Sequence, residues 1–169
     1  MRCLLALSLL QPSNSMCVRP PAAELLGRLK PDALAYLGDA VFEVAVRERL
    51  MWPPLKMKAL NSKTFSYVSA EGQHQILEKV TADFGLTEEE LDWLRRGRNA
   101  SGRGPRRLDP KIYRAASAFE TLVGYLYYVD QTRLEQLLQF SLDAAEEVIR
   151  VDGEAASSSS SDSDSTAER

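Results

Sequence analysis

The sequence predicts an all-α domain, and three observations carry that expectation. Apolar residues recur at helical spacing through most of the body. Proline, glycine and small polar residues fall where helices would start and stop. No alternating, strand-length run bounded by turn signals lies between them, and no internal repeat is present. Roughly five to seven helices are expected, in one domain with a real core.

Pro31 suits the first turn of a helix, and the apolar pattern after it runs to Met51, where Pro53-Pro54 stops it. Further helices are expected over 55–70 and over 73–84, the latter ending near Gly85. Thr87 followed by Glu90 is a capping-box signature that opens a helix through Leu91, Trp93 and Leu94 to Gly97. Asp109-Pro110 caps the next helix, to about Tyr128, and a last one covers 130–150. Within the 34–50 stretch, Leu34, Leu37, Val41 and Val44 form one apolar stripe, and a second, largely apolar face runs around Asp39 through Ala35, Tyr36, Phe42 and Val46.

Both ends differ from the body. Residues 1–23 contain no acid, begin Met1-Arg2 with a short apolar run and end in Pro20-Pro21, which reads as a targeting segment of organelle type or as a ragged start without a role. The domain is expected over 24–150, followed by a disordered serine- and acid-rich tail over 151–169. That tail holds a local charge of −4, so the formal net charge of −3 leaves +1 for everything else (−3 minus −4). The two cysteines, Cys3 and Cys17, exclude a disulfide-stapled fold and a cysteine-based zinc site in the body, and the single histidine, His74, leaves little for a multi-histidine metal site. No apolar run approaches the ~20 residues of a membrane span.

Two carboxylates stand inside apolar helical runs about eighty positions apart, Asp39 and Glu120. A charge removed from water is costly unless paired or bound to a metal. If their helices pack together, the two could bind one divalent cation, although spacing alone favours structural pairing of each with an arginine. Between them, Arg95, Arg96, Arg98, Arg103, Arg106 and Arg107 fall within thirteen positions that hold no acid. With Asn99, Lys111 and Arg114 they make a basic stretch, expected on a glycine-rich loop, suited to the phosphates of A-form RNA; a solvated basic loop is the plainer alternative. Glu43 would orient an arginine or a metal-bound water, or form a structural pair, with the structural pair preferred.

Leu37-Gly38-Asp39-Ala40-Val41 resembles the signature helix of ribonuclease III, and Phe119-Glu120-Thr121-Leu122-Val123-Gly124 resembles the second acidic motif of that family. Residues 35–43, Arg96-Gly97-Arg98-Asn99-Ala100 and the stretch from Tyr113 through Tyr127 are similar still more closely to Mini-ribonuclease III, the short branch without a double-stranded-RNA-binding domain. The resemblance covers about residues 24–145. It departs from the longer enzymes at Ala35 and Ser117, where those carry two further acids; the Mini branch shares the reduction.

The resemblance implies a ribonuclease III-type helical fold and hydrolysis of double-stranded RNA with Mg²⁺, leaving 5′-phosphate and 3′-hydroxyl ends. Asp39 and Glu120 would be the metal-holding catalytic acids, with Ser117 and Glu43 behind them. It also implies a homodimer, with Tyr36 at the dimer contact or, alternatively, in the core, and a substrate among large-subunit (23S) ribosomal RNA precursors, near ribosomal proteins or pre-ribosomal particles. The transit-like start points to a chloroplast, with a bacterial cytoplasm as the alternative. A catalytically inactive RNA-binding or ribosome-associated protein on the same fold is the competing function, and an unrelated helical interaction module a third; retention of both acids speaks for the enzyme.

Overall fold

Helix α1, Ala22–Arg28, precedes the first helix expected from sequence. A computed structural model describes residues 22–102 and 104–158. The targeting segment expected over 1–23 lies almost wholly outside the described residues, as do Arg103 and the end of the tail. After α1 follow α2 (Pro31–Leu50), α3 (Met57–Val68), α4 (Ala70–Asp83), α5 (Glu88–Ala100), α6 (Pro110–Val129) and α7 (Gln131–Ser158). No strand occurs among the described residues.

Local chemistry sets most boundaries. Pro31 opens α2 and Pro110 opens α6, the latter capped by Asp109, whose Oδ1 accepts from the Lys111 N–H at 2.7 Å. At α5 the expected capping box is complete: the Thr87 N–H donates to Glu90 Oε2 at 2.8 Å and the Glu90 N–H donates to Thr87 Oγ1 at 3.2 Å. Gly85, after the end of α4, takes a left-handed φ of 69°, which a side chain would disfavour.

Helix α6 is the hub, packed against α2, α4, α5 and α7. Its apolar face, including Phe119, Leu122, Val123 and Leu126, is buried. Phe119 meets Phe42 of α2 edge-on, centroids 5.0 Å apart, and Tyr125 stacks on Trp93 of α5 at the same distance.

The closest approach is between α2 and α6. A Cβ on Gly38 would lie 1.8 Å from the Glu120 backbone oxygen, and one on Gly124 would lie 2.1 Å from that of Leu34. Glycine at both positions lets the backbones touch. The helix buries Leu34, Ala35, Gly38, Phe42, Val46 and Leu50. This corrects the expected stripe, because Val44 is largely exposed and the small-residue face is the one turned to α6.

Gly97 corrects a second expectation. It does not end α5, which continues to Ala100; it is buried against Thr121 of α6, whose Oγ1 would sit 2.4 Å from an added Cβ. Arg98 and Asn99 are therefore on the last helical turn rather than on a loop. Helix α7 likewise continues past Arg150 to Ser158.

One buried ion pair ties α5 to α7. Glu90, 3 % exposed, accepts from Arg133 Nε at 2.7 Å and Nη2 at 3.0 Å; Arg133 also donates to the Gly85 carbonyl and lies over the Phe84 ring. Burial alone would raise the Glu90 carboxyl, but Arg133 and the Thr87 cap hold it below the usual range. Arg133→Ala strands that carboxylate and is expected to cost about 3–5 kcal/mol, read by urea unfolding; a loss below ~1 kcal/mol would contradict the pair's structural role.

Candidate active site

The α2–α6 contact brings Asp39 and Glu120 into one open cleft of about 500 Å³, lined also by Asp32, Ala35, Tyr36, Ser117, Thr121 and Tyr113. The last turn of α5 and the start of the following loop, from Gly97 through Ser101 to Gly102, close one side. Asp39 is solvent-exposed, whereas Glu120 is only partly so. The two acids thus share one cleft, the packing on which shared cation binding was conditional, and neither forms an ion pair with an arginine among the described residues.

The electrostatics follow from that placement. Burial pushes the Glu120 carboxyl up to about 7, the neighbouring Asp39 charge adds to the rise, and a hydrogen bond from Gln73 opposes it. Asp39 is raised too, chiefly because the cleft wall partly desolvates its carboxyl although the residue reaches solvent, with Gln73 again opposing and Glu43 contributing like-charge repulsion. Two acids held at such a cost suit a site that later receives positive charge.

Gln73, on α4, is the residue sequence reasoning missed. Its Nε2 lies 3.4 Å from Asp39 Oδ1. The signal was present: Gln73, Ile76, Leu77 and Val80 share one buried helical face, so a polar side chain occupies a core position. Asp32, a third acid of the cleft two turns before Asp39, was also missed.

Ser117 lines the cleft one turn before Glu120, and Ala35 lines it one turn before Asp39. Glu43 pairs with Arg47 one turn on, with Arg47 Nε donating to its Oε1 at 3.2 Å, the structural arrangement preferred from sequence. Tyr36 is 86 % exposed at the cleft edge, which excludes a core role. Phe42, on the same second apolar face in the sequence, is fully buried.

Arg95 and Arg96 both pair with Asp92, Arg96 Nε at 2.6 Å, and Arg96 also lies over the Trp93 ring. The acid just upstream of the basic stretch therefore partly neutralises it. Arg98, Asn99, Arg106, Arg107, Lys111 and Arg114 are exposed, and Arg106 and Arg114 line a second hollow with Gly102 and Gly104, beside the cleft. Gly104 fixes the loop there, lying so close to the Tyr113 ring that an added Cβ would be 2.6 Å from it.

Among the described residues no group of three or more His, Cys, Asp or Glu side chains converges, so the two carboxylates are the charged donor set. Hard oxygen donors beside an open, water-accessible cleft fit Mg²⁺, which binds through one or two carboxylates and keeps several waters.

A sequence profile of the Ribonuclease III domain matches residues 32–131. Mini-ribonuclease 3 of Gloeobacter violaceus is 50 % identical over 110 residues, 65 % of this chain and 80 % of that protein. This chain belongs to the ribonuclease III family, in its Mini-ribonuclease 3 branch. The Mini-ribonuclease 3 proteins of Synechocystis (46 % over 121 residues, 72 % of this chain and 83 % of that protein) and of Symbiobacterium thermophilum (46 % over 121, 70 % and 92 %) agree. A crystal structure of a Fusobacterium nucleatum protein matches with a TM-score of 0.63 at 24 % identity, covering 70 % of this chain and 96 % of that one, which bears on the ribonuclease III fold alone. As a Mini-ribonuclease 3, the chain is an endoribonuclease. No described helix is long and apolar enough to cross a membrane.

Proposed function

We propose that this endoribonuclease is Mg²⁺-dependent, cuts double-stranded RNA as a homodimer, matures large-subunit (23S) ribosomal RNA precursors in contact with ribosomal proteins or pre-ribosomal particles, and works in the chloroplast. The observation that carries the reading is the meeting of Asp39 and Glu120 in an open cleft bordered by exposed basic side chains. The location rests on the acid-free first 23 residues with their organelle-type character.

In this reading Asp39 and Glu120 hold the ion. When bound, Mg²⁺ supplies Lewis acidity toward a phosphate oxygen and a water acidic enough to attack at neutral pH. The chain itself orients that chemistry. Ser117 presents a hydroxyl to the cleft one turn from Glu120, and Thr121 anchors α6 to the start of α2, its Oγ1 donating to the Pro31 carbonyl at 3.2 Å. Cleavage leaving 5′-phosphate and 3′-hydroxyl ends needs no side-chain nucleophile.

Arg98, Asn99, Arg103, Arg106, Arg107, Lys111 and Arg114 would bind the RNA backbone, with Arg95 and Arg96 contributing from their pairs with Asp92. Replacing Arg103, Arg106 and Arg107 together by alanine is expected to weaken duplex binding across sequences and flatten the salt dependence by roughly 0.9 per lost phosphate contact, on the B-DNA scale. Turnover at saturating RNA should change less. An unchanged affinity and salt slope would remove the loop from the RNA path.

The dimer would bury Tyr36, with the exposed Val44 and Phe65 adding apolar surface on α2 and α3. A two-fold pairing supplies one cleft for each strand of a duplex. Sedimentation at micromolar concentration should show a dimer for the wild type and a shift toward monomer for Tyr36→Asp; a fully active monomer would contradict it.

The experiment for the reading as a whole is digestion of a labelled 23S precursor duplex beside a single-stranded control, with Mg²⁺ or with chelator. Duplex cleavage that requires Mg²⁺ is expected. Equal cutting of the single strand, or cutting in chelator, would overturn it.

A further inference from the structure

We propose that Gln73 is a positioning residue, its buried amide N–H holding Asp39 of α2 in place beside Glu120 of α6 before any cation arrives. The inference rests on the reading of those two acids as the cation-holding pair and adds a third helix, α4, to the site.

Gln73 is 1 % exposed, so its amide has no access to bulk water. Its Nε2 lies 3.4 Å from Asp39 Oδ1. The orientation of the amide follows from charge, since turning the carbonyl toward two carboxylates would add repulsion where the N–H gives attraction. The other end of the side chain is left at a loss: Oε1 is buried and accepts no hydrogen bond among the described residues. A buried acceptor left without a partner is costly, and leucine or methionine would fill the same core position without it. A glutamine on the apolar Ile76–Val80 face is therefore costly for packing, and the donor it supplies to the acids is what it adds.

The local backbone holds that donor in place. Gln73 stands in the first turn of α4, its own N–H donating to the Ser69 carbonyl at 2.9 Å. Ser69 caps the helix by accepting from the Gly72 N–H at 3.1 Å. Gly72 is pressed against the end of α3, where an added Cβ would lie 2.1 Å from the Ser66 carbonyl oxygen. The side chain next to it thus enters the core from a tight helix–helix corner rather than from a flexible segment. Asp39 keeps further lone pairs for a cation, because one N–H occupies only one of its acceptor positions.

The consequence is a separation between binding the ion and using it. With Gln73 present, the acids are already converged and the ion need not draw them together; without it, that ordering must come out of the binding energy. The test measures the Mg²⁺-induced rise in melting temperature of the full chain without RNA, and the Mg²⁺ dependence of duplex cleavage, for wild type, Gln73→Leu and Gln73→Met. Methionine keeps the length and flexibility of glutamine, so it serves if leucine disturbs the core.

Both variants are expected to need roughly tenfold more Mg²⁺ for the same thermal shift and for half-maximal cleavage, in line with one lost charge-assisted hydrogen bond. Cleavage at saturating Mg²⁺ should fall by less than about threefold, a split that mere loss of packing would not produce. Unchanged Mg²⁺ requirement in a folded variant, or a loss confined to turnover, would overturn the role of Gln73 while leaving the acid pair intact. Absence of any Mg²⁺ effect on the wild type, in both measurements, would overturn the acid-pair reading and this inference with it.

Discussion

Glu120→Gln is expected to abolish duplex cleavage and, in the same protein, to stabilise the cation-free fold. The loss of activity should be roughly a thousandfold or more, about 4 kcal/mol of transition-state stabilisation, because the amide keeps the shape but no longer holds the ion by charge. Asp39→Asn should lose activity similarly. The gain in stability follows from the raised Glu120 carboxyl, about 7 in the fold against an ordinary 4.5. A carboxyl raised by folding favours the folded state while protonated, so its ionisation costs stability as pH rises from 4.5 through 7. Glutamine removes that cost, so the variant should be more stable by about 2 kcal/mol at pH 8, after discounting for partial exposure, and should lose its advantage below pH 4.5. Urea unfolding in chelator at the two pH values reads this directly. A variant that cleaves at the wild-type rate would remove Glu120 from the site, and one less stable at pH 8 would contradict its strained ionisation.

Gly38→Ala should have the second largest effect. The added Cβ would stand 1.8 Å from the Glu120 carbonyl oxygen and 2.8 Å from the Gly124 nitrogen, both backbone atoms that cannot rotate away. The helices must separate or the protein must unfold, at about 3 kcal/mol or more. Any folded fraction should cleave poorly, since Asp39 and Glu120 are carried by the helices being pushed apart. Gly27→Ala is the control: it faces nothing within 4 Å and should be neutral to mildly stabilising. Wild-type melting and cleavage in Gly38→Ala would contradict the close α2–α6 contact as the basis of the site.

The same glycine shows why some features could be read ahead of the fold and others could not. Proline at the starts of α2 and α6 and the Thr87–Glu90 box act within a few residues, so local sequence was enough to place them. The two acids were conspicuous because each interrupts an apolar run. The buried face of α2 was ambiguous, since two apolar faces compete, and only the glycine on α6 decides that Ala35 and Gly38, rather than Leu37 and Val44, turn inward. Gly97 misled in the same way: glycine at a helix end and glycine under a neighbouring helix look alike until Thr121 is seen against it. Asp92 lies just outside the acid-free window of 95–107, yet one turn of helix brings it to Arg95 and Arg96. Gln73 was hidden by its polar neighbours, though its place on the Ile76–Val80 face marked it as a core residue.

Electron paramagnetic resonance of Mn²⁺ titrated into the RNA-free protein tests most directly whether Asp39 and Glu120 together hold one divalent cation. Wild type should quench the free-ion signal saturably, Mg²⁺ should restore it by competition, and Asp39→Asn and Glu120→Gln should each abolish the quenching while remaining folded. Saturable, Mg²⁺-sensitive binding that survives in both folded variants would place the ion away from these two carboxylates.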